Sequence, residues 1–207
     1  MDLVSKILKN PKMWDLAQKI FGCDEKKQQM YRAVMDEPGK VLDFGCSDGN
    51  AFPGFKDMEY YGLDTDKTLI EFAKQKYAGF PHAKFIADDI FNKPFEANFF
   101  DHVLFACTGH HLPEDLINKV MKELCNVLKP GGALYIFDTI RRPGKDPWYI
   151  RFLIGLDQGK HMKTEQWYKE NMQKFDERFK IEETDVFRVG GNFAPQPTWF
   201  YAKLVKS

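Results

Sequence analysis

The chain has 207 residues, with 30 Lys and Arg balancing 30 Asp and Glu, and with 43% hydrophobic and 15% aromatic side chains. This composition excludes a disordered polyelectrolyte and a small disulfide scaffold, and the length suits one compact domain with a substantial core. A formal net charge of zero argues against a whole-molecule positive field, so no nucleic-acid partner is expected.

The first predicted elements are two short amphipathic helices. Leu3, Val4, Ile7 and Leu8, then Trp14, Leu16, Ala17, Ile20 and Phe21, recur at helical spacing around a break at Pro11. Their expected role is to pack on the domain or to lid a pocket. Lys, Asp and Gln interrupt every short apolar pair, so the segment offers neither a signal-peptide core nor a membrane span. A cytoplasmic protein without stable membrane insertion is expected. Cys23, Cys46, Cys107 and Cys125 are widely spaced, with no CxxC and no His at ligand spacing, which predicts reduced thiols and no metal site.

From residue 40 the pattern alternates. Short apolar runs ending in a polar cluster predict strands at Lys40–Asp43, Tyr60–Asp64, Ala83–Asp88, Phe100–Ala106 and Ala133–Phe137. Helical periodicity fills the gaps at Thr68–Tyr77, where Leu69, Phe72, Ala73 and Lys76 share a face, and at about Pro113–Leu128. Such alternation predicts an α/β fold, a doubly wound, mostly parallel seven-stranded sheet with helices on both faces. After residue 140 come a loop at Arg141–Pro147, helices at about 148–157 and 164–176, and late strands at Phe179–Arg188 and Thr198–Val205. The expected organisation is a helical cap over residues 1–35, a ligand-binding core over 40–140, a helical insertion over 141–178 and closing strands over 179–207.

The first strand runs into Val41-Leu-Asp-Phe-Gly-Cys-Ser-Asp-Gly49, a turn that in an open sheet points at a ligand on the carboxyl edge. A dinucleotide fingerprint would need Gly at 45, 47 and 50, but the residues are Gly45, Ser47 and Asn50, and no GK[ST] follows. Asp43 and Asp48 flank the loop, and like charges about 4 Å apart in a partly dry site cost on the order of several kcal/mol. A pyrophosphate is therefore disfavoured, whereas a ligand with ammonium and sulfonium groups, such as S-adenosylmethionine, meets the opposite balance. Residues 41–140 as a whole hold 9 basic and 15 acidic side chains. Asp64, ending the second strand, suits the hydroxyls of a ribose, and Asp88, ending the third, suits an adenine amino group beside an apolar wall at Ile90 or Phe91.

These segments carry a family resemblance. VLDFGCSDGN (41–50), YYGLDTD (60–66), FIADDIF (85–91), NFFDHVLFACTGHHL (98–112) and LKPGGALYIFDT (128–139) together resemble a class I, Rossmann-like S-adenosylmethionine-dependent methyltransferase of the small-molecule type. The resemblance implies that Gly45 and Gly49 let the backbone approach the cofactor, with Cys46 and Ser47 between them. It also implies that Asp64, followed by Thr65, holds the ribose, that Asp88 holds the adenine amino group, and that the backbone at Asp89, next to Ile90, meets the ring nitrogen. Asp43 would order the loop and the ammonium end, and Ala106 would close the site at the fourth strand. Ser47 departs from the usual middle Gly, and Asn50–Asp57, broken by Pro53 and Gly54, is shorter than the family's helix there. Asp66 and Asp101 are expected to be solvated or helix-capping, while Gly131 and Gly132 are expected to adopt positive backbone dihedrals in a turn.

Methyl transfer from a sulfonium needs little from the protein beyond alignment, exclusion of water and, for some acceptors, removal of a proton. His110 and His111, after the fourth strand, are the candidate catalytic bases, set against a purely structural role. His161 is a weaker candidate facing the acceptor; His102 is expected to be packed and His82 to lie in a loop. By the resemblance, residues 1–35 and about 140–178 choose the acceptor. Trp14, Tyr31, Trp148, Tyr149, Phe152, Leu153, Ile154, Trp167, Tyr168 and Phe175 there could cover a small hydrophobic or aromatic metabolite, or merely pack the helices. Arg141 and Arg142 fit either an acidic substrate or a strand-end cap. The alternatives are an RNA or protein methyltransferase, disfavoured by the charge balance and by the lack of an Asn/Asp-Pro-Pro-Tyr/Phe motif, and a non-catalytic S-adenosylmethionine-binding protein.

Overall fold

The computed structural model describes residues 24–35, 37–156, 160–188 and 197–207. The two predicted N-terminal helices, with Trp14 and Cys23, lie outside the described residues. Within them the chain runs as helix α1 (Asp24–Ala33), strands β1 (Lys40–Phe44) and β2 (Glu59–Asp64), helix α2 (Lys67–Lys76), strands β3 (Ala83–Ala87) and β4 (Phe100–Ala106), and helix α3 (Glu114–Val127). It continues through strand β5 (Leu128–Ile140), helices α4 (Trp148–Leu156) and α5 (Glu165–Asn171), and strands β6 (Phe179–Arg188) and β7 (Thr198–Lys206).

All seven strands join one sheet in the order β3-β2-β1-β4-β5-β7-β6. The first five pair in parallel, whereas β7 runs antiparallel between β5 and β6. The order reverses between β1 and β4, which places a crevice outside their carboxyl ends.

Strand periodicity of two divides the core between the faces. Leu42, Val103, Phe105, Leu134 and Ile136 pack on one side with Ile117, Val120, Met121 and Leu124 of α3, while Val41, Leu104, Tyr135 and Phe137 pack on the other with Tyr31, Phe52, Phe55 and Trp199. The four α3 side chains recur at helical spacing, and each fully buried one contributes roughly 2 kcal/mol.

On α2, Ile70 and Ala73 are buried and Leu69 and Phe72 are half-buried. Two expectations need correction here. Gly131 has the positive dihedral (φ +79°) but Gly132 does not; a Cβ on Gly132 would stand 2.9 Å from the Asp101 carbonyl oxygen, so it is required by close approach. Asp101 is a staple, accepting from the Lys40 backbone N–H at 2.9 Å and pairing with Lys129 at 2.6 Å where β5 bulges against β4. Asp66 does cap α2, accepting from Thr68 and Leu69 N–H groups.

His102 is buried near the opposite edge of the sheet, with Nε2 3.0 Å from the Glu37 carbonyl. Burial lowers its pKa, so the folded protein holds it neutral. Its part of the stability is complete above the ordinary imidazole pKa near 6.5 and is lost as pH falls below that, with a limiting slope of about 1.4 kcal/mol per pH unit. Denaturant unfolding of the wild type and of His102→Gln between pH 8 and 5 checks this, because the difference between the two stabilities should follow this trend while the contributions of other titrating groups are common to both.

Candidate active site

The loop after β1 is built to turn sharply. Gly45 and Gly49 both have φ +76°, and a Cβ on Gly45 would also strike Thr108 Oγ1 at 2.5 Å. Ser47, in place of the expected Gly, adopts the same left-handed region (φ 52°), and its strain is offset by its N–H, which donates to Asp64 Oδ2 at 2.9 Å. The N–H groups of Gly45 and Cys46 both donate to the Leu63 carbonyl, and that of Gly49 to the Cys46 carbonyl. These four donors are turned inward, so they do not form the outward nest of N–H groups that a phosphate needs.

The carboxylates stand where the donors do not. Asp64 at the end of β2 is half-buried, with Oδ1 accepting from the Asp66 N–H, and Thr65 beside it is exposed. Asp88, just past β3, accepts from the Asp89 N–H and from Asn92 Nδ2, and the latter, followed by the former, holds its carboxyl below the usual range. Asp89 caps the short turn Ile90–Asn92 through the Phe91 N–H.

Several predicted site residues take other roles. Asp48 is fully buried, 3.2 Å from Lys76 Nζ, so its charge is compensated inside the fold and does not flank the loop. Asp43 is buried and accepts from the Tyr60 hydroxyl. Burial, with some help from the charge of Asp64, lifts its pKa to about 7 against the pull of the Tyr60 hydrogen bond. Cys46 packs its thiol on Gly62, and burial pushes that thiol up, leaving only its backbone for a ligand. Ile90 is 2% exposed and belongs to the core, so an apolar wall at this point falls to Phe91, 40% exposed.

At the end of β4, half-buried Ala106 is followed by Cys107, another non-glycine residue with positive φ, 53°. Thr108 Oγ1 ties the ends of β1 and β4 through the Phe44 and Ala106 carbonyls. The next turn, Gly109–His111, carries both candidate bases. His110 is buried, its Nδ1 2.5 Å from Asp138 Oδ1, while His111 is exposed with its ring centroid 4.2 Å from that of His110. Asp138 also accepts from the Tyr168 hydroxyl at 2.6 Å and from the Thr139 N–H at 3.0 Å.

The insertion clamps this turn from outside. The exposed His161 donates its N–H to the His110 carbonyl, and buried Lys163 donates to the carbonyls of Leu112 at 2.7 Å and of His161. Burial lowers the Lys163 pKa while the charge of Asp138 opposes that shift. Arg141 Nε meets the Met162 carbonyl, closing the end of β5. Of the aromatic residues nominated to cover an acceptor, Tyr31, Tyr168 and Phe175 are core residues, whereas Trp148 is 72% exposed; the side chains of Phe152 and Leu153 lie outside the described residues.

A methyltransferase-domain family matches residues 42–136, the stretch that supplies the loop, the strand-end acids and the His-bearing turn. Over those residues the chain is similar to methyltransferase domains. Demethylmenaquinone methyltransferase of Staphylococcus aureus is 27% identical over 146 residues, 66% of this chain and 60% of that protein. The chain thus spans about 60% of the length of the curated relatives it matches. Among solved structures, the chain superposes on an S-adenosylmethionine-dependent methyltransferase of Methanosarcina mazei with TM-score 0.68 and 19% identity, covering 86% of this chain and 96% of that one. Geranyl diphosphate C-methyltransferase of Streptomyces coelicolor, solved with S-adenosyl-L-homocysteine, gives TM-score 0.70 at 9% identity over 88% and 77%. These likenesses show that the chain has the fold of such enzymes.

Sequence reasoning missed Asp138, Tyr168 and Lys163. Asp138 left a signal, as the one charge in the buried run Ala133–Ile140, where a carboxylate must find partners. Among the described residues no helix is long and apolar enough to cross a membrane, and no cluster suits a metal ion.

Proposed function

We propose that the chain transfers a methyl group from S-adenosylmethionine to a small, hydrophobic or aromatic metabolite in the cytoplasm. The observation that carries this reading is the polarity of the strand-end crevice, where loop N–H groups turn inward and carboxylates stand at the ends of β2 and β3. That donor set fits a cation bearing hydroxyl and amino groups and repels a diphosphate.

In this reading Asp64 accepts from the ribose hydroxyls with Thr65 beside it, Asp88 from the adenine amino group, and the backbone of Asp89 and Ile90 meets the ring. Gly45, Cys46, Ser47 and Gly49 carry the loop past the cofactor, Asp43 sits below its ammonium end, and Ala106 borders the transferred methyl. S-adenosylmethionine supplies an activated methyl group on sulfur. His110 and His111 stand where a base would take the proton of a hydroxyl acceptor. In this reading residues 1–35 and 141–178 choose the acceptor. A hydrophobic acceptor is supported by the curated relatives, whose name specifies demethylmenaquinone.

Calorimetry should show S-adenosylmethionine and S-adenosylhomocysteine binding, with NAD weaker; equal or tighter NAD binding would overturn the reading. Asp64→Ala should lower S-adenosylhomocysteine affinity about 10- to 100-fold, the worth of hydrogen bonds to one charged group. Asp64→Asn, which keeps an acceptor for the Ser47 N–H, separates loop support from ribose binding. Methyl transfer from labelled cofactor to a panel of quinols and phenols then tests the acceptor class.

A further inference from the structure

Among the described residues three large apolar side chains are exposed: Phe91, beside the proposed adenine position, and the adjacent Trp148 and Tyr149. Trp148 and Tyr149 open α4, whose nine residues WYIRFLIGL hold a single charge. Buried Ile150 and half-buried Ile154, one helical turn apart, mark the face of α4 turned to the domain. Trp148 and Arg151, three residues apart and both exposed, share the outer face. The rings of Trp148 and Tyr149 meet edge to face with centroids 5.9 Å apart, so they form one projecting aromatic edge. Apolar surface left in water at such an edge marks a place of contact with something else.

The charges around this edge have one sign. Arg141, Lys145 and Arg151 are exposed and Arg142 is half-buried. The single acid between residues 141 and 151, Asp146, faces inward, with Oδ2 accepting from the Arg142 N–H at 2.6 Å and Oδ1 buried. Among the described residues none of the four cations pairs with a carboxylate. This short stretch thus carries four positive charges against one negative in a chain whose formal net charge is zero. We propose that the aromatic edge of the insertion docks on the surface of an anionic lipid bilayer, with Trp148 and Tyr149 seated at headgroup depth and the surrounding cations on lipid phosphates. Indole and phenol rings, apolar with one polar atom, favour that interface over both water and hydrocarbon. Basic side chains lie along it with their charged heads on the phosphates. At nine residues, about 14 Å, α4 lies on such a surface and does not cross it. Its apolar run favours lipid over a nucleic acid, whose backbone is met by polar donors. The docking needs neither the cofactor nor the acceptor of the proposed reaction.

The test is flotation of the full chain with vesicles of phosphatidylcholine alone and of phosphatidylcholine and phosphatidylglycerol in equal parts. The expected result is flotation with the anionic vesicles only, reversed by roughly 0.5 M salt, which shortens the reach of surface charges to a few ångströms. Tryptophan emission should shift to the blue on the anionic vesicles, and Trp148→Phe should remove that shift while still floating. Trp148→Ser should lower the partition roughly tenfold, and Lys145→Gln and Arg151→Gln about fivefold each, all three with the wild-type thermal midpoint because the side chains are exposed. Absence of flotation with anionic vesicles, equal flotation with neutral ones, or an unchanged partition in any of the three variants would overturn the proposal. So would a dimer in sedimentation velocity that Trp148→Ser dissolves, or tighter capture of a single-stranded oligonucleotide than of the vesicles, since either gives the edge another occupant.

Discussion

Asp43→Asn should make the protein more stable at pH 8 and weaken its hold on S-adenosylmethionine. The wild-type carboxyl is buried and titrates at about 7 rather than at its ordinary 3.8. Between those values the unfolded chain holds fewer protons than the folded one, so stability falls as pH rises from about 4 to about 7 and stays low above. A shift of that size corresponds to about 4 kcal/mol at most. Asparagine can still accept from the Tyr60 hydroxyl, though its amide protons need partners, which leaves a net gain of about 1–3 kcal/mol at pH 8. Denaturant unfolding at pH 4.5 and pH 8 on both proteins measures it, and a wild-type curve no steeper than the variant's would refute the burial argument. In the proposed site the same carboxyl sits near the cofactor's ammonium group, which favours its ionised form. Wild-type binding should therefore release a proton near neutral pH, visible as a buffer-dependent heat, and the variant should lose both that proton and affinity.

Phe52→Ala should cost about 3–5 kcal/mol, the usual range for emptying a fully buried aromatic site. Phe52 is fully buried, and its ring centroid lies within 6.2 Å of those of Tyr60, Tyr77, Phe80, His82 and Phe85. It starts the single turn Phe52–Phe55, with Pro53 at its beginning, which stands in place of the longer helix expected from the resemblance. The turn and the ligand loop share this aromatic cluster, since a Cβ on Gly49 would meet the Phe85 ring at 2.7 Å. Cofactor affinity should fall together with thermal stability. Phe52→Leu, which keeps most of the volume, should recover most of both; a loss confined to binding would show that the turn serves the ligand directly.

The parallel sheet was legible because each strand is a short apolar run ended by an acid or Gly, and the helices between them keep their own period. The antiparallel placement of β7 was not, since pairing partners far apart in sequence leave no local trace. Acids at strand ends were readable as positions but not as charges. Asp64 and Asp88 stand at the ends of β2 and β3, yet Asp48 turns inward to Lys76 and Asp43, within β1, disappears beneath Tyr60, outcomes that depend on partners in other elements. Ser47 looked like a departure from the loop's needs, and the Asp64 hydrogen bond that lets it keep a glycine-like backbone depends on a residue in another strand. His110 was found by its place in the chain, whereas the carboxylate behind it comes from β5 and the hydroxyl behind that from α5.

The insertion of β7 between β5 and β6 has a consequence for biosynthesis. As the chain leaves the ribosome, β5 emerges with its outer margin open and waits for α4, α5 and β6 before the segment that covers it arrives. For that interval the run Ala133–Ile140, buried throughout in the finished sheet, offers an uncapped apolar template to any neighbouring nascent chain. Slow translation of the final quarter, or stalling within it, would leave this protein at its most aggregation-prone, and holdase chaperones would be needed most there.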